Sequence, residues 1–198
     1  MFQNYIKTVL ESSLSVKQTL LEETFIEKIN YSSKLLLSSF KNNGRAIFAG
    51  NGGSAADAQH LAAEFVSRFE FNRPGLPSIS LSTDTSMLTA ISNDYGYEKL
   101  FARQIEAQGT KNDVFIGITT SGKSPNILKG FEAANKIGMK TIALVGKNGI
   151  NTNDFDIDSI LDVDSLSTAR IQECHITIGH ILCGIVEKEI FKDYQPKS

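Results

Sequence analysis

The order of apolar and polar positions divides the chain into a helical start and a longer segment of alternating strands and helices. Apolar residues recur at helical spacing through residues 3–42, which predicts two helices, and Gly44 is placed to end the second one. Short apolar runs follow at residues 46–49, 114–118 and 141–145, and residues 79–81 and 160–163 are interpreted as further strands. The pattern predicts five strands, with amphipathic helices between them. Apolar strands of this kind are typical of a parallel sheet covered on both faces. We therefore expect one doubly wound α/β domain over residues 1–198, with an N-terminal helical extension.

The final helix is predicted at residues 168–191 and is apolar on more than one face. A helix that covers only its own sheet needs a single apolar stripe. We therefore expect this helix to pack against something besides its own sheet, such as another subunit. The helices of residues 1–42 could pack either on the sheet or on a neighbouring subunit.

Composition narrows the classes of function. Twenty Lys and Arg face 22 Asp and Glu, so the net charge is −2, without the positive excess typical of a nucleic-acid-binding face. No apolar run approaches the roughly 20 residues of a membrane span, and the N-terminus lacks a signal-type run. Cys174 and Cys183 have no metal or redox spacing, which indicates reduced, buried thiols. We expect a cytoplasmic protein that binds neither nucleic acid nor membrane.

Two loops rich in glycine and hydroxyl groups follow the first and third predicted strands. The second of them carries Thr119, Thr120, Ser121 and Ser124 just before a helix that starts with Pro125. Hydroxyl groups and the free amides of a helix N-terminus suit a phosphate monoester. The alternative is that these residues merely cap the helix, although capping would use only one or two of them.

The first loop, residues 50–55, formally matches the dinucleotide fingerprint G-x-G-x-x-A. That fingerprint also needs a carboxylate at the end of the second strand, about 20 residues on, and Glu70 at that distance is not in a strand-like segment. A nicotinamide cofactor is therefore not expected. Contacts from Asn51, Gly52, Gly53 and Ser54 to a small polar ligand fit better.

His60 and Glu64 lie four residues apart on the helix after this loop. At that spacing an imidazole and a carboxylate can converge on one metal ion or one substrate atom, or form an exposed pair. Asp57 could orient the His60 ring. Two other groups of candidates also have a structural interpretation. On the final helix, Gln172, His175 and His180 are either ligands or core residues. Asn93 and Asp94 either contact sugar hydroxyls or simply end a helix.

Several segments together resemble the sugar isomerase (SIS) domain family, and within it the sedoheptulose 7-phosphate isomerases. They are GNGGSAADAQH, RFEFNRPGLP, Asn93-Asp94, TTSGKS and ARIQECH with His180, and they span almost the entire chain. The resemblance implies a five-stranded, flavodoxin-like sheet and a homotetramer with active sites near subunit interfaces. It also implies conversion of sedoheptulose 7-phosphate to D-glycero-D-manno-heptose 7-phosphate, the first step towards activated heptose for lipopolysaccharide or capsule.

The same resemblance assigns roles to individual residues. One zinc ion per subunit would bind His60, Glu64, Gln172 and His180. The sugar phosphate would contact Asn51, Gly52, Gly53, Ser54, Glu64, Asn93, Asp94, Thr119, Thr120, Ser121, Ser124 and Gln172. One departure is visible, because Ala169 stands where the family often has an Asp.

An aldose–ketose isomerisation through an enediol needs a base beside the carbons and an acid beside the oxygens. We assign these roles to Glu64 and His180, with zinc as a Lewis acid. A carboxylate that binds zinc is a weaker base, so whether Glu64 serves as base, ligand or both stays open. The alternatives are a non-catalytic relative that binds the replication initiator DnaA, or a sugar-phosphate sensor. DnaA-binding relatives lack the groups corresponding to Glu64 and His180.

The ligand set has a geometric difficulty of its own. Gln172 and His180 are eight residues apart, about 12 Å along a straight helix, so one metal ion is only just within reach of both. The difficulty is relieved if the final helix begins after Gln172, or if neighbouring subunits share the site. The second solution again predicts a homo-oligomer.

Overall fold

The protein is described by a computed structural model that covers residues 2–153 and 155–194. Its elements, in chain order, are α1 (Gln3–Thr19), α2 (Glu23–Lys41), β1 (Ala46–Gly50), α3 (Gly53–Val66), β2 (Ser78–Ser80), α4 (Thr85–Tyr95), a 3₁₀ turn (Tyr97–Lys99), α5 (Leu100–Gln108), β3 (Val114–Thr119), α6 (Pro125–Ile137), β4 (Lys140–Gly146), β5 (Ser159–Val163) and α7 (Thr168–Ile190). The two predicted N-terminal helices and all five predicted strands are confirmed.

The five strands form one sheet in the order β2-β1-β3-β4-β5, and every neighbouring pair is parallel. This is the flavodoxin-like strand order. All residues of β1 and β3 are buried, which explains why these strands are apolar throughout rather than alternating. The expected doubly wound α/β fold is confirmed.

Helices cover the sheet on both faces and create two apolar cores. One core joins α2, α3 and α7 to the sheet, and includes Leu36, Leu61 and Ile178. The other joins α5 and α6 to the opposite face, with Phe101, Phe115 and Phe131 at its centre. The connection from β4 to β5, as far as it is described, contains no helix, so strands and helices do not alternate throughout.

Helix α2 ends near the expected residue, but the left-handed conformation lies one residue earlier than Gly44. The left-handed residue is Asn43, with φ 58°, and not Gly44. The Gly44 amide donates to the Ser39 carbonyl and the Asn43 amide to the Phe40 carbonyl, which together make a Schellman motif. Gly44 is required for space, because a Cβ there would lie 2.0 Å from the Asn112 carbonyl oxygen.

The two N-terminal helices differ in how they pack. Helix α2 packs on α7 and β5, whereas α1 has no buried residue in the part of the chain that the structure describes. Polar contacts to α7 hold α1: Ser13 Oγ donates to Glu173 Oε2 at 2.7 Å, and Arg170 Nη1 donates to the Val9 carbonyl at 2.8 Å. Val16 of α1 packs against the core, whereas the apolar side chains of Tyr5, Ile6, Leu10 and Leu14 are exposed.

Helix α7 is continuous from Thr168, so the expectation that it might begin after Gln172 is wrong. Much of its broad apolar surface is covered within the chain, because α1, α2, α3 and the sheet all contact it. Among the described helices, none has both the length and the apolar character that a membrane span requires.

Candidate active site

The site lies where the winding of the sheet reverses. Neighbouring strands β1 and β3 end at Gly50 and Thr119, and the helices that follow them, α3 and α6, pack on opposite faces. Such a switch point leaves a crevice beyond the carboxyl ends of the strands, where ligands of open α/β sheets bind. The two loops selected from the sequence meet at this crevice.

The hydroxyl-rich loop, residues 119–124, gathers three side-chain oxygens. Thr119 Oγ1 lies 3.0 Å from Ser124 Oγ and 3.5 Å from Ser121 Oγ. Ser124 is the N-cap residue of α6, yet none of the described amides of that helix donates to its side chain. The hydroxyls therefore do not serve as helix caps. This favours the interpretation that they bind an anion beside the N-terminus of α6.

Gly122 gives this loop its shape. Its φ of +67° is left-handed, and a Cβ at this position would lie only 1.8 Å from the Gly149 carbonyl oxygen. Glycine is needed here for both reasons. The backbone of residues 149–150 thus closes one side of the hydroxyl-rich loop.

The glycine-rich loop is anchored by Asn51. Its amide exchanges two hydrogen bonds with Asn126, the second residue of α6, at 2.9 and 2.8 Å. The Tyr97 hydroxyl donates to Asn51 Oδ1 at 2.8 Å. Asn126 and Tyr97 were missed by the sequence analysis. The one signal in the sequence that could have indicated Asn126 was an Asn in the first turn of the helix that follows the hydroxyl-rich loop.

The next two residues of this loop depend on being glycine. Gly52 has φ 57° and ψ −122°, a conformation open essentially to glycine alone. A Cβ on Gly53 would lie 2.5 Å from Nε2 of Gln172. Gln172 on α7 therefore packs directly on the N-terminus of α3, close to the crevice, and Ser54 beside it is buried.

His60, Glu64 and His180 form a second polar cluster, between α3 and α7. The Nε2 atoms of His60 and His180 are 2.9 Å apart, so one ring donates and the other accepts. His60 Nε2 lies 3.4 Å from Glu64 Oε1. Burial, and next the neighbouring His60, lower the pKa of His180, while Glu64 acts in the opposite direction.

The ring of Phe69 closes the cluster on the His180 side, with ring centroids 5.4 Å apart. Asp57 stands behind His60, and burial raises its pKa to about 6 against the lowering effect of His60. The described residues provide no hydrogen-bond partner for its Oδ2 atom. The expected orienting bond from Asp57 to the His60 ring is therefore not formed in this structure.

Gln172 is not gathered into this cluster. It packs on Gly53, which lies seven residues before His60, and α3 and α7 run side by side. The rise of the two helices separates Gln172 from the imidazoles by about 10–12 Å. Of the four predicted zinc ligands, the chain brings three together and holds the fourth near the crevice.

Three further candidates take separate positions. Asn93 and Asp94 are exposed near the end of α4, where Asn93 Nδ2 donates to Asp94 Oδ1 at 2.8 Å. His175 is a core residue, with its Nε2 atom 3.1 Å from the Val145 carbonyl oxygen. Burial lowers the pKa of His175 to about 4, so this ring is neutral near pH 7.

The donor types in the cluster suit zinc, which prefers imidazole nitrogen and carboxylate oxygen. Nevertheless, no group of three or more His, Cys, Asp or Glu side chains in the described ranges is arranged to hold a metal ion. The direct contact of the two imidazole nitrogens occupies the space between them. The residues fit zinc by their chemistry, and their side chains would have to separate slightly to hold it.

Comparison with known proteins identifies the family to which the sequence is similar. Residues 6–146 match the SIS domain family. The chain is 53% identical over 192 residues to a phosphoheptose isomerase of Sulfurimonas denitrificans, covering 96% of this chain and 98% of the relative. It is 54% identical over 189 residues to phosphoheptose isomerase 2 of Campylobacter jejuni, covering 95% of this chain and 94% of the relative.

Solved structures give the same result. A phosphoheptose isomerase from Francisella tularensis superimposes with a TM-score of 0.90 at 37% identity, covering 95% of this chain and 99% of the other. One from Neisseria gonorrhoeae gives a TM-score of 0.87 at 39% identity, covering 95% of this chain and 100% of the other. The sequence, the fold and the two loops agree, and the chain belongs to the phosphoheptose isomerase family of SIS-domain proteins.

Proposed function

We propose that this chain is an aldose–ketose isomerase that converts sedoheptulose 7-phosphate to D-glycero-D-manno-heptose 7-phosphate in heptose biosynthesis. The observation that carries the proposal is the convergence of Glu64 with the imidazoles of His60 and His180. It occurs in a chain about half identical to phosphoheptose isomerases over nearly its whole length. A cytoplasmic location, and lipopolysaccharide or capsule as the destination of the heptose, are part of the same proposal.

The reaction moves one proton between two carbons and another between their oxygens. Glu64 takes a proton from C1 of the ketose, which gives the enediol, and returns a proton to C2. His180 transfers the proton between the oxygens of C1 and C2. Burial and the neighbouring His60 lower its pKa, which disfavours the charged ring.

The phosphate anchors the other end of the substrate. We assign it to the hydroxyls of Thr119, Ser121 and Ser124 at the N-terminus of α6, where partial positive charge favours an anion. We assign the intervening sugar to Asn51 and Gln172, which lie beside the crevice. Binding energy gathered at these remote contacts can orient the reacting carbons.

One zinc ion per subunit is part of the proposal, and His60, Glu64 and His180 would hold it. Gln172 of the same chain lies about 10–12 Å away, so a fourth donor of this type would have to come from a neighbouring subunit. When bound, zinc supplies a Lewis acid that stabilises negative charge on the substrate oxygens, an effect worth several kcal/mol. The support is the donor chemistry described above, two imidazole nitrogens and a carboxylate oxygen.

We also propose that the chain works as a homo-oligomer, a tetramer by family resemblance, with active sites near subunit interfaces. Glu64 lies eleven residues along α3 from Gly53, which is about 16 Å from the carboxyl edge of the sheet. The phosphate loop and the imidazole cluster of one chain are thus far apart, and a neighbouring copy can bring complementary halves together. The exposed apolar side chains of α1 offer surface for such contact. Light scattering that finds a monomer at micromolar concentration would contradict this assembly.

The direct test is interconversion of the two heptose phosphates, followed by NMR in deuterium oxide. An isomerase exchanges the C1 or C2 proton with solvent, whereas a sugar-phosphate sensor or a DnaA-binding relative leaves the sugar unchanged. Chelator should abolish turnover and added zinc should restore it, with roughly one zinc per chain by metal analysis. Ser121→Ala serves as the matched control, because it should weaken sugar-phosphate binding and leave the zinc content unchanged.

A further inference from the structure

A buried ion pair lies directly behind the imidazole cluster. The side chains of Arg73 and Glu187 are both fully buried, and Arg73 Nε donates to Glu187 Oε1 at 2.7 Å. Arg73 belongs to the loop that follows α3, and Glu187 lies seven residues after His180 on α7. The pair therefore links the two helices that carry the proposed acid and base.

Arg73 holds the end of α3 at the base itself. Its Nη2 atom donates to the carbonyl oxygen of Glu64 at 2.9 Å, and its Nη1 atom donates to that of Phe65 at 2.7 Å. These carbonyls lie in the last turn of α3, where the helix leaves them without partners of its own. The planar guanidinium group can donate in several directions at once, which an ammonium group cannot do as well.

Glu187 holds the other side of the cluster. Its carboxylate accepts hydrogen bonds from the Phe69 amide at 2.9 Å and the Glu70 amide at 2.7 Å. Burial opposes its ionisation, but these two amides and Arg73 outweigh burial and hold the Glu187 pKa below the usual range. The amide contact fixes the backbone of Phe69, whose ring packs against the ring of His180.

We propose that Arg73 and Glu187 are positioning residues for the isomerisation: one ion pair fixes the backbone of Glu64 and, through Phe69, the ring of His180. The inference rests on the proposed function, because it assigns the pair to the same acid and base. A pair needed for stability alone could be replaced by apolar residues, which often match or exceed the stability of a buried ion pair. Here each partner instead makes backbone contacts that end at a catalytic group.

The test uses Arg73→Lys, which keeps the charge beside Glu187 but cannot hold both carbonyls of α3. We expect kcat for sedoheptulose 7-phosphate to fall about 10- to 100-fold, the usual effect of a misplacement of about 1 Å. KM should stay near that of the unaltered chain, because the hydroxyl-rich loop between β3 and α6 is untouched. Ile105→Ala, in the core on the opposite face of the sheet, controls for lost stability and should keep kcat per folded chain.

A second variant separates stability from position if Arg73→Lys folds poorly. The double variant Arg73→Met with Glu187→Leu leaves no unpaired buried charge, and it releases both the α3 carbonyls and the Phe69 amide. We expect it to recover thermal stability without recovering kcat. The imidazole proton resonances of His180 give a readout independent of activity, since ring currents from Phe69 shift them. They should move in the double variant, which releases the Phe69 amide, and stay in place in Ile105→Ala.

The outcomes are distinguishable. Turnover absent from the unaltered chain would refute the proposed function. A different result would overturn the positioning role. The unaltered chain would turn over, the folded Arg73 variants would have the same kcat as Ile105→Ala, and their His180 resonances would not move. The pair would then be structural.

Discussion

Replacement of Gly122 by alanine tests whether the hydroxyl-rich loop binds the phosphate. The change adds a methyl group to a residue with φ +67°, and the new Cβ would lie 1.8 Å from the Gly149 carbonyl oxygen. A non-glycine residue in the left-handed region costs roughly 1–2 kcal/mol. The overlap adds a second cost, since the two backbones must separate by about 1 Å or more in a close-packed protein.

The separation should disturb the site more than it disturbs the fold. Ser121 precedes Gly122 directly, so its hydroxyl moves with the loop and loses alignment with Thr119 and Ser124. A lost or misaligned hydrogen bond to a charged phosphate costs about 1–3 kcal/mol, which corresponds to roughly a 5- to 140-fold rise in KM. Steady-state kinetics with sedoheptulose 7-phosphate measure this rise, and scanning fluorimetry measures the loss in Tm.

The chain offers a matched control for backbone strain. Gly138 ends α6 with φ +82°, and a Cβ there would meet no atom within 4 Å. Gly138→Ala should therefore lower Tm by roughly 2–4 °C for each kcal/mol of strain and leave KM unchanged. If Gly122→Ala shows the same pattern as Gly138→Ala and Ser121→Ala also leaves KM unchanged, the assignment of the phosphate to this loop is wrong.

Three other predictions address the base, the loop anchor and acid stability. Glu64→Gln should lower kcat about 10²- to 10⁴-fold and spare sugar-phosphate binding; normal turnover by a zinc-loaded variant would rule out Glu64 as the base. Asn126→Ala removes both amide hydrogen bonds to Asn51. Since a net hydrogen bond contributes roughly 1 kcal/mol, KM should rise about 5- to 10-fold. An unchanged KM would show that this anchor of the glycine-rich loop is dispensable. Burial lowers the pKa of His175 to about 4 in the folded chain, against about 6.5 for an unperturbed histidine. The unfolded chain therefore binds the extra proton, and the free energy of unfolding falls by up to about 3 kcal/mol as the pH drops from 6.5 to 4. Urea denaturation across this range checks the loss, and His175→Gln should flatten it.

Much of the fold followed from local patterns. The central strands β1, β3 and β4 are apolar because both faces of the sheet are covered, and that burial can be recognised in the sequence as short apolar runs. The hydroxyl-rich loop could be recognised for a similar reason, since Thr119, Ser121 and Ser124 are close along the chain and face one another in the structure. The same holds for His60 and Glu64, which a single helical turn brings together.

Contacts between distant segments could not be predicted in this way. Asn126 and Tyr97 meet Asn51 only because the strand order places β1 beside β3, and an amide pair of this kind has no fixed spacing in the sequence. The separation of Gln172 from His180 likewise depends on an unbroken α7 that runs alongside α3. The resemblance to a family grouped these residues, but only the packing of the two helices decided where each one lies.

The sequence by itself determined the parallel sheet and the two loops at its carboxyl edge, because each depends on residues close together in the chain. Tertiary structure alone decided that Arg73 and Glu187 meet behind the imidazole cluster, 114 positions apart, and that His175 lies in the core while His180 contacts His60. Burial and the register of one helix on another are properties of the whole packed chain. Local patterns in the sequence therefore do not predict burial or helix register.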